Sequence, residues 1–274
     1  MPAESAYLLD NANAKSDTRM DVLARLFDAP TQRALERVGV AAGWHCLEVG
    51  GGGGSVARWL AARVGPSGHV LCTDINTRII ERHRGGAPNL EVKVHDIARD
   101  PLPAASFDLI HARLVLIHVI EREQALVRMV EALKPGGWLV IEDFDGASLR
   151  PDDSINRHET PLPSSEAVRA YLTRNQDGYF GRRLHGRFRE LGLTEVYAEG
   201  RLLMFDRHNG GSELMRVNFE QIGADVIAAG LLTRQQLEAD LARIVSEEFA
   251  MPSPIMWSVA GRKPCDRQEC RQRD

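Results

Sequence analysis

Apolar and polar residues follow one another in blocks whose period changes between that of a strand and that of a helix. Short apolar runs, typical of buried strands, are followed by stretches with apolar residues three or four positions apart, such as Val56, Leu60 and Val64. Strands and helices that alternate in this way form an α/β sheet of mainly parallel strands. The predicted strands cover residues 44–48, 70–74, 90–94, 107–112 and 138–143.

Two amphipathic helices are predicted before the first strand. Residues 20–27 carry an apolar face after a possible N-cap at Asp17, and Pro30 begins a second helix that Gly39 ends. These helices are expected to lie across the front of a ligand site, although a solvated N-terminal arm explains the pattern equally well. Three polar side chains of this region are candidates for ligand contacts: Tyr7, Asn11 and Arg19.

Five consecutive glycines, residues 50–54, lie between the first predicted strand and the helix that follows it. Glycine has no Cβ and tolerates positive φ, so the backbone here can approach a ligand closely, and the first N–H groups of the helix face that ligand. A flexible loop without function is the weaker interpretation, because ordering five glycines is entropically costly. The sequence therefore predicts a cofactor at this turn.

Two classes of cofactor fit the glycine loop. Residues 52–57 match the dinucleotide pattern G-x-G-x-x-A, and Asp74 follows at about the distance of a ribose-binding carboxylate. However, Glu48 stands two residues before the first glycine. An acidic side chain at that position favours a ligand with a positive centre, such as a sulfonium or an ammonium group, over a pyrophosphate.

Further carboxylates stand at the ends of predicted strands, where open α/β sheets bind their ligands. Asp74 ends the second strand, and Asp96 with Ile97 follows the third. A carboxylate beside an apolar residue suits an adenine, because one side chain accepts from the amino group while the other contacts the ring. The alternative for Asp96 is an acid that caps its own loop.

Composition narrows the class of protein. The chain has 274 residues, 43% of them hydrophobic, and a net charge of −4, which predicts a globular protein of one large domain, or one domain with a cap. The mild acidity argues against a nucleic-acid groove, and the absence of a long apolar run argues against a membrane span. We expect a monomer or homodimer in the cytoplasm, with no bridge between Cys265 and Cys270.

Five motifs occur in the order found in the class I S-adenosylmethionine-dependent methyltransferases, which the chain resembles. The resemblance covers residues 40–145 firmly and is strongest to the small-molecule branch that includes the enzymes of ubiquinone and menaquinone biosynthesis. Dinucleotide dehydrogenases do not share the Leu-Lys-Pro-Gly-Gly turn at 133–137. The motifs are the glycine loop after Glu48, Thr73-Asp74, His-Asp-Ile at 95–97, Phe-Asp-Leu-Ile at 107–110, and Ala-Leu-Lys-Pro-Gly-Gly-Trp-Leu-Val-Ile-Glu-Asp at 132–143.

The resemblance implies S-adenosylmethionine as cofactor, S-adenosylhomocysteine as product, and no metal. It places Glu48 and the loop glycines around the methionine part, Asp74 on the ribose, and a backbone carbonyl, that of Ala112, on the adenine amino group. The residues expected to bind the cofactor are Glu48, Gly50, Gly52, Gly54, Asp74, Ile75, Asp96, Ile97, Ala112, Arg113 and Tyr7.

The resemblance also implies a Rossmann-like fold with a seven-stranded, mostly parallel sheet whose last strand is antiparallel. Strand 6 is expected at 194–205 and strand 7 at 255–261. Between them two helices are predicted, the second opened by the capping box Thr233-x-x-Gln236, and we expect them to form a lid. The expected organisation is N-terminal helices over the cofactor site at 1–39, a core at 40–210 and 251–263, a helical lid insertion at 211–250, and a disordered tail at 264–274.

The expected acceptor is a small, partly apolar molecule, with O-methylation of a hydroxylated aromatic or polyketide-like compound favoured. Histidine suits proton transfer at neutral pH, so His118 is the first candidate base, with Asp143 second and His158 and His185 behind; His111 is expected to be a core residue. Cofactor binding without methylation, a dinucleotide oxidoreductase and an interaction domain stay open. Expected acceptor contacts are Phe144, Tyr171, Tyr179, Phe180, Met204, Phe205, Met215, Phe219 and Ile222.

Overall fold

A computed structural model describes residues 16–149, 162–172 and 177–265. Seven strands form one sheet, and two further strands pair separately. The strands are β1 (His45–Val49), β2 (His69–Asp74), β3 (Leu90–Val94), β4 (Phe107–Arg113), β5 (Leu133–Asp145), β6 (Thr194–Arg201), β7 (Met204–Asp206), β8 (Ala250–Pro252) and β9 (Ile255–Arg262). The helices are α1 (Ser16–Arg37), α2 (Ser55–Val64), α3 (Arg78–His83), α4 (Arg122–Ala132), α5 (Pro163–Leu172), α6 (Leu184–Glu190), α7 (Gly211–Ala228) and α8 (Arg234–Ile244).

The strand order of the large sheet is β3-β2-β1-β4-β5-β9-β6. All neighbours from β3 to β5 are parallel, whereas β9 runs antiparallel to both β5 and β6. The predicted Rossmann-like sheet with an antiparallel last strand is thereby confirmed. The order reverses between β1 and β4, and the carboxyl ends of the strands beside such a reversal form the crevice in which open α/β sheets bind ligands.

Helices cover both faces of the sheet because alternate residues of each strand face opposite layers. On one face Cys46 and Val140 pack with α2 and with Leu35 of α1. On the other face Leu47 and Ile141 pack with α4 and α6. The two faces are therefore apolar throughout their centres, and the polar residues found among them need buried partners.

The two predicted N-terminal helices are in fact one, because α1 continues through Pro30. Proline lacks the N–H that would bond to the carbonyl four residues earlier, which costs about 3 kcal/mol in a helix interior. Burial of Phe27, Thr31 and Leu35 on either side of it offsets that cost. The expected N-cap, Asp17, instead lies in the first turn, where its carboxylate accepts two hydrogen bonds from Arg82 at 2.6 and 2.7 Å.

Two strand boundaries also differ from the prediction. The Leu-Lys-Pro-Gly-Gly segment ends α4 as expected, but it is part of β5, where a register shift opposite residues 107–109 accommodates Pro135 and the positive φ of Gly136. The predicted strand 6 is divided: β6 ends at Arg201, and residues 204–206 form β7, which pairs with β8. Pairing of β6 with β9 ends at the pair of Arg201 with Met256. Residues 204–206 and 250–252 lie outside this pairing and form the separate pair.

The segment between β6 and β9 holds α7 and α8, and the side chain and backbone of Thr233 form the predicted capping box with Gln236 at the start of α8. Helix α7 packs on α1 and α5 rather than on the sheet.

Within the described ranges, none of the helices has the length and apolar character needed to cross a bilayer. Cys265 is disulfide-bonded, so the expectation that it forms no bridge is wrong.

Candidate functional site

A cavity of about 800 Å³ opens at the carboxyl ends of the parallel strands. Its floor is the glycine loop and the segments that follow β2, β3, β4 and β5, and its walls come from α1, α5 and α7. The fold therefore brings the predicted rim residues together at one place. Those that line the cavity are Glu48, Gly50, Gly52, Asp74, Ile75, Asp96, Ile97, Arg113 and His118.

The glycine loop is held by its own backbone and needs glycine where it turns. The N–H of Gly51 donates to the carbonyl of Thr73 at 3.0 Å, and the N–H of Gly54 donates to that of Gly51 at 2.7 Å. Gly50 has a φ of +66°, and a Cβ there would lie 2.3 Å from Cγ2 of Val115. Gly54 does not line the cavity; it adopts positive φ as the N-cap of α2.

Asp74 lies at the end of β2 with both carboxylate oxygens hydrogen-bonded to backbone. Oδ2 accepts from the N–H of Gly52 and Oδ1 from that of Asn76, each at 3.0 Å. Burial raises the pKa of this carboxyl above its ordinary value, against the effect of the N–H groups and of Arg19. Because a carboxylate has about four acceptor positions, Asp74 retains capacity to accept from a ligand in the cavity that it lines.

The N-terminal half of α1 forms the wall beside the loop. A Cβ on Gly52 would lie 2.8 Å from Sδ of Met20, so the thioether covers the turn directly. Arg19, which was a candidate ligand contact, is buried and lines the cavity. Tyr7 and Asn11, the other candidates from this region, lie outside the described residues.

The position of Asp96 after β3 is compatible with both of its interpretations, a ligand contact and a cap of its own loop. Its Oδ1 accepts from the N–H of Ala98 at 2.9 Å, so the side chain does cap its loop, and the residue also lines the cavity. Ile97 beside it is buried, while Ile75 across the cavity is 49% exposed. Two apolar side chains and a carboxylate thus surround this end of the cavity.

Arg113 and Ala112 lie at the end of β4, and of the two only Arg113 lines the cavity. The guanidinium of Arg113 donates to Oγ1 of Thr31 at 2.9 Å and to Oδ1 of Asp28 at 2.8 Å, so it attaches β4 to α1. Asp28 also accepts from the hydroxyl of Ser55 at the start of α2. Ala112 lies inside β4 between β1 and β5 and does not line the cavity.

Three buried polar side chains, Glu48, His111 and Glu142, lie side by side on neighbouring strands of the sheet behind the glycine loop. His111 is paired with Glu48 in the register of β4 and β1, and its Nδ1 lies 2.6 Å from Oε2 of that glutamate. Its Nε2 lies 3.5 Å from Oε2 of Glu142, which also accepts from the hydroxyl of Thr31. Burial alone would lower the pKa of His111, but the two carboxylates raise it to about 9. His111 is therefore buried as predicted, but as a charged residue rather than ordinary core.

His118 and Asp143, the candidate bases, are connected through the short 3₁₀ helix Leu116–His118. His118 lines the cavity, whereas Asp143 is fully buried, does not line it, and accepts from the N–H of Ile117 at 3.2 Å. Burial raises the pKa of Asp143 well above its ordinary value. The candidate His185 lies in α6 away from the cavity, and His158 lies outside the described residues.

The far end of the cavity is lined by α5 and α7, which contribute apolar side chains together with the polar Ser165, Arg169 and Asn218. Of the nine predicted lining residues, only Phe144, Met215 and Phe219 contact it. The others pack elsewhere: Phe205 with α1 and α7, Phe180 under the opposite face of the sheet, and Ile222 between α5 and α7. The predicted residues that do not line the cavity are Tyr171, Tyr179, Phe180, Met204, Phe205 and Ile222.

Asn218 was not predicted, yet it gives this end of the cavity a polar group. It lies on α7 between Met215 and Phe219, both of which line the cavity with it. Its Oδ1 is buried and has no hydrogen-bond partner among the described residues. The signal in the sequence is an amide within an apolar stripe of period three to four. A buried acceptor of this kind normally has a partner, and a cavity ligand would provide one.

The comparisons with known sequences agree with this geometry. Residues 47–141 match the family described as a methyltransferase domain. Over 146 residues the chain is 31% identical to the ubiquinone/menaquinone biosynthesis C-methyltransferase UbiE of Hahella chejuensis, a match that covers 51% of this chain and 59% of that protein. The chain thus matches less than two thirds of the length of this relative.

Solved structures share the fold across most of the chain. Phosphoethanolamine N-methyltransferase 2 of Haemonchus contortus, in complex with S-adenosyl-L-methionine, aligns with a TM-score of 0.58 at 18% identity, over 96% of this chain and 61% of that one. The [4+2]-cyclase SpnF aligns with a TM-score of 0.51 at 17% identity, over 87% of this chain and 82% of that one. At these identities the likeness concerns the fold alone.

Proposed function

Since the chain has the class I S-adenosylmethionine-dependent methyltransferase fold and carries a methyltransferase domain related to UbiE, we propose that it binds S-adenosylmethionine and methylates a small, partly apolar molecule. One observation carries the proposal: a single cavity joins the glycine loop to an apolar chamber. A cofactor at the loop and an acceptor in the chamber would therefore share one cavity.

The residues at the loop end fit this cofactor. Gly50 and Gly52 turn the backbone towards the cavity with positive φ, and Asp74 lines it with acceptor capacity for two ribose hydroxyls. Glu48 offers a negative charge to an ammonium group, and Ile75 with Ile97 offers apolar surface for a purine. A pyrophosphate would meet these two carboxylates, so the residues favour S-adenosylmethionine over a dinucleotide.

Catalysis by this chain is mainly a matter of holding the acceptor and excluding water. When bound, S-adenosylmethionine supplies a methyl group already activated by its sulfonium. Helices α5 and α7 line the end of the cavity away from the glycine loop, so an acceptor there would be held and oriented beside the cofactor, which is a large part of what proximity can contribute. We infer that α7 and α8 act as the lid of this space.

A hydroxyl acceptor becomes a better nucleophile when a base removes its proton, which contributes roughly 10²–10⁴-fold. His118 lines the cavity and is suited to that role at neutral pH. Asp143 is the weaker candidate, because it is fully buried and does not line the cavity, and burial raises its pKa well above the ordinary value. We propose His118 as the base.

The acceptor proposed is a hydroxylated aromatic or polyketide-like compound that is methylated on oxygen. The chamber combines Phe144, Met215 and Phe219 with the amide of Asn218, which suits a flat apolar molecule carrying a hydroxyl. The UbiE relatives are named as C-methyltransferases, so transfer to a ring carbon beside such a hydroxyl is the competing outcome, and the same base would serve it.

Binding of the cofactor without methyl transfer is the second candidate function. The fold alone does not decide between them, since the [4+2]-cyclase SpnF shares it. Calorimetry with S-adenosylhomocysteine and NADH tests the cofactor, with binding of the first alone expected. Incubation of labelled S-adenosylmethionine with a panel of phenols then tests transfer. Tight binding with no transfer to any phenol would favour the second candidate, and binding of neither ligand would contradict both.

A further inference from the structure

Glu48, His111 and Glu142 form a buried polar group, and the function proposed above uses only Glu48 of the three. They come from three adjacent strands, β1, β4 and β5, and are 3%, 0% and 1% exposed. Two carboxylates and an imidazole within an apolar sheet are energetically costly unless they compensate one another. Only Glu48 of the three lines the cavity, so the group connects the sheet interior to the cofactor site.

The two carboxylate oxygens of Glu48 have different surroundings. Oε2 lies 2.6 Å from Nδ1 of His111, and among the described residues this is the only hydrogen bond that the carboxylate makes. Oε1 has no hydrogen-bond partner among the described residues, and Glu48 lines the cavity. On its other side the imidazole faces a second carboxylate: Nε2 lies 3.5 Å from Oε2 of Glu142, an ion-pair contact rather than a hydrogen bond, and Glu142 accepts from the hydroxyl of Thr31 in α1. Glu48 is thus held from behind by its hydrogen bond to His111.

The charges around His111 keep it protonated at neutral pH. The carboxylates of Glu48 and Glu142 raise its pKa to about 9, although burial acts in the opposite direction. An imidazolium carries an N–H on each nitrogen and can therefore face both glutamates at once. The other titratable or charged groups facing this trio are Arg113 and its partner Asp28, Arg201 at 3.6 Å from Glu142, and the thiols of Cys46 and Cys72.

We propose that His111 is a positioning residue for the cofactor: it holds the ionised Glu48 carboxylate so that Oε1 faces the amino group of the methionine part. This inference rests on the proposed function. Without His111, the Glu48 carboxylate would be buried with no hydrogen-bond partner among the described residues, and its orientation towards the cavity would no longer be held. A carboxylate that is not held in place attracts an ammonium group less well.

The experiment compares two ligands that differ in the amino-acid moiety. S-adenosylhomocysteine carries the amino group, whereas 5′-methylthioadenosine lacks it and keeps the adenosine and the sulfur. The quantity measured is the ratio of their dissociation constants, by calorimetry from pH 6 to pH 8.5. In wild-type protein His111 stays largely protonated across this range, and the ionisation of the ligand's own amino group is common to every variant compared.

His111→Leu is expected to reduce the preference for S-adenosylhomocysteine at least about tenfold at pH 7, the effect of losing a hydrogen bond to a charged group. His111→Asn is the matched variant, because its amide nitrogen stands near the position of Nδ1 and can still donate to Glu48. It should retain the preference to within about threefold. Glu48→Gln should lose the preference.

The outcomes separate this inference from the proposed function. If wild-type protein binds both ligands and His111→Leu weakens both equally at every pH, His111 supports the sheet only, and the inference is wrong while the function stands. Retention of the full preference by Glu48→Gln would overturn the inference even if His111→Leu failed to fold. Binding of neither ligand by wild-type protein would overturn both.

Discussion

The two ends of the cavity are built in different ways. The end at the glycine loop, called the cofactor end, consists of strand ends and short loops. Its geometry is set by hydrogen bonds of backbone N–H groups, such as those from Gly51 to the carbonyl of Thr73 and from Gly52 to the carboxylate of Asp74. The opposite end, where the acceptor is proposed to bind, is called the acceptor end. It consists of side chains from α1, α5 and α7, which meet through apolar contacts between segments far apart in the chain. Substitutions should therefore act on binding at the first end and on turnover and selectivity at the second.

The largest effect that this comparison predicts is at the acceptor end. His118→Ala should lower turnover at saturating acceptor by about 10²–10⁴-fold if the side chain removes the acceptor proton. Its dissociation constant for S-adenosylhomocysteine should change little, because His118 is not among the residues proposed to bind the cofactor. Turnover and calorimetry on the same preparation check both parts. His185→Ala is the control, since His185 lies in α6 outside the cavity. Full turnover by His118→Ala would mean that proximity alone suffices.

The next effect belongs to the cofactor end. Asp74→Ala should weaken S-adenosylhomocysteine binding by at least about tenfold, since two ribose hydrogen bonds of about 1 kcal/mol each would be lost. Asp108→Ala is the matched control, because Asp108 lies near the start of β4 and pairs with Lys134. Calorimetry measures both variants. Equal affinities for the two would show that Asp74 serves the glycine loop and not the ligand.

The sequence signals for the cofactor end are local. The glycine run and the carboxylates at strand ends are short motifs, and Glu48, Asp74 and Asp96 all line the cavity. His111 was harder to interpret, since an imidazole inside an apolar strand shows its charge only when the register places Glu48 beside it. The sequence cannot show that pairing without the sheet topology.

The acceptor end was predicted poorly because its contacts are long-range. An aromatic residue has the same helical spacing whether it faces a cavity or a core, so Phe180 and Phe205 could not be distinguished from Phe219 before the helices were placed. The continuity of α1 through Pro30 also depends on long-range contacts. Local propensity favours a break there, and burial against the rest of the protein decides otherwise.

A smaller effect is expected at the roof of the acceptor end. Asn218→Ala should raise the KM for a hydroxylated acceptor by roughly three- to tenfold, the amount expected from one hydrogen bond of about 1 kcal/mol. Turnover at saturation and cofactor affinity should stay close to wild type. Gln235→Ala removes an exposed amide from α8 and serves as control. Loss of cofactor affinity in the Asn218 variant would mean that the two ends of the cavity are not independent.

The smallest effect on turnover concerns Asp143, which stands at a strand end like Asp74 but does not line the cavity. Because burial raises its pKa well above the ordinary value, the folded protein retains the carboxyl proton to a higher pH than the unfolded chain does. This carboxyl therefore makes the free energy of unfolding fall as pH rises above about 4 and towards the folded pKa.

Asp143→Asn cannot titrate and can still accept from the N–H of Ile117. Relative to wild type, its stability should increase between pH 5 and pH 8 in urea unfolding, while turnover changes by less than about threefold. A parallel pH dependence in the two proteins would mean that the folded carboxyl is ionised. A loss of turnover as large as that of His118→Ala would place Asp143 at the reacting atoms and contradict the division between the two ends.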